Sequence, residues 1–371
     1  MIYMDYSATT PLSEECLHVY GETAKLAFAN SSSVHTMGLE AQTVLEKTRS
    51  NMADLLGRSS DELYFTGSGS EANFLSLVTL ANAHARKGLH ILSTKTEHPS
   101  VHEALDYLKN ENFEVTYVPV TKDGIISKEA LLEAIRPDTI LASFAHASSE
   151  VGTIQDLHVL GKLLQARGIL LHSDCVQTIG KVPVPLDMLS AASFSAHKLY
   201  APKGLGAAYI SNRVHWFPFY AHASHESQFR PGTVDVPGIA AFGKGLSDAL
   251  KTEKEQMNTL CTWRNNALHR LLGSGKFALI GHPTRRLPFH MGLRVLRGSG
   301  QQFMLECDRQ GLAIATGSAC RVGQTAPSEA LLALGLTSEE IDQYVRITFG
   351  TPTSEAEVME MVDICLKIVN E

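Results

Sequence analysis

The chain has 371 residues, more than one hydrophobic core usually serves, so two lobes are expected. Its 44% hydrophobic and 19% charged content excludes a disordered or collagen-like chain. A formal charge of -7 without a dense Lys/Arg run excludes general attraction to nucleic acid or anionic lipid, leaving small molecules and proteins as partners.

Residues 1–12 carry Asp5 and no basic stretch followed by an apolar one, so they do not read as a signal peptide. Ala41, Val44, Leu45, Met52, Leu55 and Leu56 lie mostly at helical spacing, and the pattern stops at Gly57, a residue type favoured just past a helix end. From Asp61 to about Ile210 short apolar runs alternate with helical patterns, which implies crossover connections and a mainly parallel sheet. The predicted strands are 63–66, 90–93, 115–118, 140–144, 169–172 and 192–195, and a helix is predicted to start at Ser100 with Glu103 in capping-box position. After about Gly238 a long helical stretch leads into 260–272 and then into short strands at 277–280 and 292–295. Capping boxes from Thr337 to Glu340 and from Ser354 to Glu357 open two helices around a strand at 345–349. The expected organisation is α/β: an N-terminal arm over residues 1–14, a large domain with a mainly parallel sheet over 15–250, and a smaller α+β domain over 251–371. No apolar run is long enough to span a bilayer.

Cys16, Cys175, Cys261, Cys307, Cys320 and Cys365 are widely spread and form no C-x-x-C pair. That excludes a disulfide framework and a zinc knuckle, and it suits a reducing cytoplasm. His215, His222 and His225 form a loose cluster without metal-ligand companions and read as loop residues.

Three segments carry chemistry. The run from Gly67 to Asn73 follows a strand and opens a helix, so its N–H groups suit a phosphate, although such turns are also purely structural. It lacks the G-K-[ST] ending of an NTPase loop. Asp174 and Gln177 follow the strand at 169–172, at the carboxyl edge where open parallel sheets bind ligands, though an Asp there can be a simple helix cap. The next strand ends in Ser195-Ala196-His197-Lys198, with Gly204 and Gly206 beyond it. Singly, a lysine there is an ordinary surface group. Together, these segments supply an anion site, a partner for a pyridinium nitrogen and a Schiff-base amine, which pyridoxal phosphate requires.

The Ser195-x-His197-Lys198 run resembles the cofactor-lysine motif of class V, fold-type I pyridoxal-phosphate enzymes. Residues 3–11, Asn30 to His35, Glu97-His98, Asp174-x-x-Gln177, Arg230-Pro231-Gly232-Thr233, Gly317-Ser318-Ala319-Cys320 and 345–350 all resemble the NifS/IscS cysteine desulfurases, in order and over nearly the whole chain. The resemblance assigns Lys198 to the covalent cofactor link, Asp174 to the pyridine nitrogen, Gln177 to the phenolic oxygen and His98 to stacking on the ring. It gives the phosphate to Gly69, Ser70, Ser195, Ala196 and His197, with Thr233 reaching a neighbouring subunit's phosphate, so it implies a homodimer. Arg346 and Asn30 would bind the substrate, L-cysteine, and Cys320, beside Arg321, would carry its sulfur as a persulfide, with no resident metal. An iron-sulfur scaffold or another thiol would be the recipient, and Cys320 could transiently share a cluster with such a scaffold; maturation of an NAD-synthesis enzyme is the closest flavour of the resemblance. The family usually has an asparagine in His-x-Asn-[Asn/Ser]-Glu, where this chain reads His146-Ala147-Ser148-Ser149-Glu150. Ser148 offers a shorter reach and one donor instead of two. A class V aminotransferase, a selenocysteine lyase and a catalytically weak cofactor-binding protein are the alternatives; Cys320 speaks against the aminotransferase, and intact Lys198, Cys320 and Arg346 against the weak binder.

Overall fold

A computed structural model of the chain describes residues 1–317 and 327–371. Seven strands form the main sheet in the spatial order Leu63–Thr66, Gly206–Ile210, Ala191–Ser195, Leu170–Asp174, Thr139–Ser143, His90–Ser93 and Glu114–Tyr117. Gly206–Ile210 runs antiparallel to both neighbours, and the remaining pairs are parallel. The six strands expected from sequence are present, each within two residues of its predicted ends.

Both faces of this sheet are covered, as parallel sheets require. Leu63, Phe65, Ala207 and Tyr209 join one apolar cluster, while Tyr64, Ala208 and Ile210, alternating with them along the strands, join the cluster on the opposite face. A third cluster lies around an antiparallel sheet of Phe277–Ile280, His290–Val295 and Tyr344–Thr348, covered by the final helix Glu355–Asn370 through Val358, Met361 and Val362.

One sequence expectation needs correction. The helix expected at Ser100 begins at Pro99, and its cap is His98, whose Nδ1 accepts from the Ser100 N–H at 3.2 Å. Proline fits there because a first-turn N–H has no helical partner to lose. The long helical stretch expected after Gly238 is present as one continuous helix, Val236–Gly273. Its residues Val236 to Ala249 pack into a core of the main sheet, and Leu260 to Leu271 into the core of the second lobe.

The N-terminal residues tie the lobes together. Ile2–Tyr3 pairs in parallel with Leu312–Ala313, and the Thr348 N–H donates to the Met4 carbonyl at 2.8 Å. Farther along, the Thr10 N–H donates to the His197 carbonyl at 3.0 Å, at the end of a main-sheet strand.

At Gly206 a Cβ would lie 2.4 Å from the Ser68 carbonyl carbon, with backbone rather than a flexible side chain in the way. Gly206→Ala is therefore expected to force the 67–69 turn off its strand and to lower stability by roughly 1–3 kcal/mol, the usual cost of overpacking. Urea denaturation checks this; a parental midpoint would show that the turn yields freely.

Candidate active site

The carboxyl ends of the main-sheet strands, the arm and the second lobe enclose a cavity of about 220 Å³. It is lined by Ser7, Gly69, Ser70, Asn73, Glu97, His98, Ser148, Asp174, Gln177, Ser195, His197, Lys198 and Arg346, among others. Ten of the residues singled out from sequence thus meet around one space. A larger cavity of about 670 Å³ lies between the arm, the long helix and residues 349–352. Its walls are mainly apolar, and of the convergent groups just named it has none, so the smaller cavity is the chemical site.

At one wall, Lys198 is buried and its ammonium donates to the backbone carbonyls of Ser7 and, at 2.8 Å, Ala8. Across the sheet, Asp174 accepts from Asn73 Nδ2 at 2.8 Å and from the Val176 N–H at 2.9 Å, which holds the carboxylate in one orientation. The helix Gly69–His84 opens onto the cavity with Ser68 as its cap. Gly69 matters here because a Cβ would sit 2.9 Å from Val176 Cγ2 and 3.1 Å from Ser195 Cβ. Glu71 accepts from the Gly67 N–H and from Arg230 Nε, at 3.3 Å for the latter, so the turn is braced from the 226–235 segment.

Four lining residues each carry a buried polar atom with no partner among the described residues: Ser7 Oγ, Asn73 Oδ1, Gln177 Oε1 and Arg346 Nε. Buried polar atoms are nearly always satisfied, so their convergence points to a polar guest. Pyridoxal phosphate fits this set. A helix N-terminus with Ser195 and His197 suits its phosphate, Asp174 a protonated ring nitrogen, Gln177 its phenolic oxygen and Lys198 its aldehyde. Arg346, 1% exposed, gives Nη2 to Asp5 at 2.7 Å and Nη1 to the Ser149 carbonyl at 3.3 Å, and its Nε has no partner among the described residues.

Burial sets the charges around the cavity. It pushes Glu97 up to about 8, with the Asp174 charge adding to the shift and hydrogen bonds from Thr94 and the Ala145 N–H opposing it. Burial brings His197 down to about 4, helped by Lys198, Lys203 and Lys181. It brings Lys181 down to about 7, helped by Lys198.

Other expected residues stand elsewhere. Ala196 is fully buried in a core of the main sheet and does not line the cavity. Asn30 is exposed and accepts from the Ser32 N–H at 2.9 Å, and Thr233 is exposed on the surface. Neither lines the cavity. Cys320 and Arg321 lie outside the described residues. The His98 ring caps a helix while lining the cavity. The Ser148 hydroxyl accepts from the Glu150 and Val151 N–H groups at 3.3 and 3.4 Å, so it serves its own turn. Cys16, Cys175, Cys307 and Cys365 are buried, as expected of inert thiols; Cys261 is half-buried and accepts from Arg264 Nη2 at 3.2 Å, a cationic neighbour one helical turn away that the sequence reading overlooked. Asn73 and the Ser7 and Ala8 carbonyls were also missed as site groups. The one local signal for Asn73 is its place one turn beyond Gly69, on a helix that is otherwise largely apolar.

A carboxyl group whose folded pKa is raised contributes its stability below its unfolded value of 4.5 and loses it as pH rises through about 8. Glu97→Gln is therefore expected to become progressively more stable relative to the parent between pH 5 and pH 8. Urea midpoints at pH 5, 6.5 and 8 check this; a pH-independent difference would contradict burial of a neutral Glu97.

The aminotransferase class-V family model matches residues 2–361. A NifS-named relative from Halalkalibacterium halodurans is 42% identical over 370 residues, covering 100% of this chain and 98% of its own. The cysteine desulfurase IscS of Dictyoglomus turgidum is 34% identical over 373 residues, covering 100% of this chain and 95% of its own. A solved structure of a NifS-like protein superposes with a TM-score of 0.92 at 29% identity, covering 100% of this chain and 99% of that one. With matches that run from end to end, the chain belongs to the class-V aminotransferase family, in its NifS and IscS cysteine desulfurase branch.

Proposed function

We propose that the protein is a pyridoxal-phosphate-dependent cysteine desulfurase that converts L-cysteine to L-alanine and holds the sulfur on Cys320 as a persulfide, for delivery to iron-sulfur cluster assembly. The observation that carries this reading is the meeting of Lys198, Asp174, the Gly69 helix terminus and the unpartnered Arg346 Nε around one cavity in a chain of this family. We divide the chain into an arm (1–14), a large domain (15–250) and a small domain (251–371), because core membership along the long helix changes between Ala249 and Leu260.

In this reading Gly69, Ser70, Ser195 and His197 hold the phosphate, with Ala196 packed behind them, and Asp174, kept in place by Asn73, faces the ring nitrogen. Gln177 would serve the phenolic oxygen, His98 would stack on the ring, and Thr233 would belong to the neighbouring subunit's site in a homodimer. Arg346 binds the substrate carboxylate through its planar fork, with Asn30 on the substrate side. When bound, the cofactor supplies the electron sink that makes the α-proton and the carbon–sulfur bond labile. Lys198 Nζ takes and returns the proton at the substrate carbon. The Cys320 thiolate forms a sulfur–sulfur bond with the substrate sulfur as the carbon–sulfur bond breaks; the carbon keeps that electron pair and takes up a proton to become alanine. Burial of the cavity walls excludes water from these steps. Among the described residues no helix is long and apolar enough to cross a membrane, and we take the enzyme to be cytoplasmic.

With L-cysteine and a reductant, the purified protein is expected to release alanine and sulfide in equal amounts. Cys320→Ala should keep the bound cofactor and lose sulfide release about 100-fold or more. Parental turnover by Cys320→Ala, or a persulfide located by mass spectrometry on another cysteine, would overturn the assignment. 3-Mercaptopyruvate in place of alanine and sulfide would favour an aminotransferase instead.

A further inference from the structure

The turn that carries Ser148 into the cavity belongs to the large lobe, but residues of the small lobe fix its backbone. The Ser149 carbonyl accepts from His290 Nε2 at 3.0 Å as well as from Arg346 Nη1 at 3.3 Å. Beside it, the Glu150 carbonyl accepts from Tyr344 Oη at 2.5 Å, and the Leu287 N–H donates to the Gly152 carbonyl at 2.8 Å. His290 is fully buried and does not line the cavity. It stands on the strand His290–Val295, which pairs with Tyr344–Thr348, the strand of Arg346.

Because a carbonyl can only accept, His290 Nε2 carries the proton, and Nδ1 is left to face Arg286 Nη2 at 3.4 Å. Burial, Arg286 and Arg346 together hold the imidazole neutral. The ring is packed so closely that a Cβ on Gly152, whose φ is +78°, would lie 2.4 Å from its Nδ1. One fixed oxygen therefore joins His290 to the guanidinium that keeps Nε unpartnered, while Asp5 holds the other end of the fork at 2.7 Å.

We propose that His290 is a positioning residue for recognition of the substrate carboxylate: its Nε2–H pins the Ser149 carbonyl on which Arg346 rests, and so fixes the direction of the Arg346 fork. This inference rests on the reading of Arg346 as the carboxylate site. A slack Ser149 carbonyl lets the guanidinium rotate, which weakens binding of any α-amino carboxylate while leaving the machinery around Lys198 and Asp174 intact.

The test uses the cofactor-loaded enzyme and reads the dissociation constant of L-alanine, which has no sulfur to transfer, from the change in cofactor absorbance. His290→Leu and His290→Asn both lack a donor at the Nε2 position, and whichever of them folds is expected to weaken L-alanine binding about tenfold, in line with one lost hydrogen bond. His290→Gln, which can place an amide N–H there, should stay within about threefold of the parent. Arg346→Lys should weaken binding by more than the no-donor variants, and adding it to the folded one should cost no more than Arg346→Lys alone, since His290 acts through Arg346. Unchanged affinity in Arg346→Lys would overturn the assignment of the carboxylate site itself. If Arg346→Lys weakens binding but the no-donor variant binds like the parent, or its loss adds in full to that of Arg346→Lys, or His290→Gln fails to restore affinity, the role of His290 is overturned.

Discussion

The site depends on where the Lys198 ammonium is held. Its two named acceptors, the Ser7 and Ala8 carbonyls, belong to an arm that is fastened on both sides. On the large-lobe side, Thr10 gives its N–H and hydroxyl to the His197 carbonyl, His197 Nδ1 meets Thr9 Oγ1 at 3.0 Å, and the Ser13 N–H reaches the Tyr200 carbonyl. On the small-lobe side, Ser7 N–H donates to Thr348 Oγ1 at 3.0 Å, and Asp5 pairs with Arg346. A buried cation is tolerated only where fixed dipoles replace water, and these backbone oxygens do so. The amine and the guanidinium are thereby referred to the same few residues of chain, so the arm fixes where Lys198 and Arg346 stand relative to one another.

Charge in the cavity follows from this confinement. Lys198 and His197 line the cavity, while Lys181 lines the larger one; burial with repulsion from Lys198 lowers Lys181 to about 7, and burial with repulsion from Lys198, Lys203 and Lys181 lowers His197 to about 4. Glu97, at about 8, is largely protonated at neutral pH. In the proposed function Asp174 faces the positive ring, and the helix N-terminus at Gly69 takes the anion. The same dry environment that costs the isolated charges their hydration strengthens each remaining pairing within the site.

Much of this was legible because the chemistry follows the topology. Parallel strands end on one edge of the sheet, so Gly69, Asp174 and Lys198 could be grouped from three strand ends without knowledge of any contact. Local capping rules also located the turns at Thr337 and Ser354, where the box is formed within four residues. They misplaced the start at Ser100 because a histidine, a less usual cap, took the position and proline took the first turn. What could not be read were partners separated by long stretches of chain. Asn73 reaches Asp174 across 101 positions, Lys198 reaches Ser7 across 191, and His290 reaches Ser149 across 141. Nothing in the neighbouring residues of His290 marks it, since its role arises only when the two lobes meet.

In the proposed function the confined amine at position 198 is the one that bonds the cofactor, and a chemically plausible competitor lies nearby in Lys181. Borohydride reduction of the pyridoxal-phosphate-loaded protein, followed by digestion and mass spectrometry, decides between them directly. The account predicts a stable pyridoxyl adduct on Lys198 and its loss in Lys198→Ala; an adduct on Lys181 or any other lysine of the unsubstituted protein would contradict it.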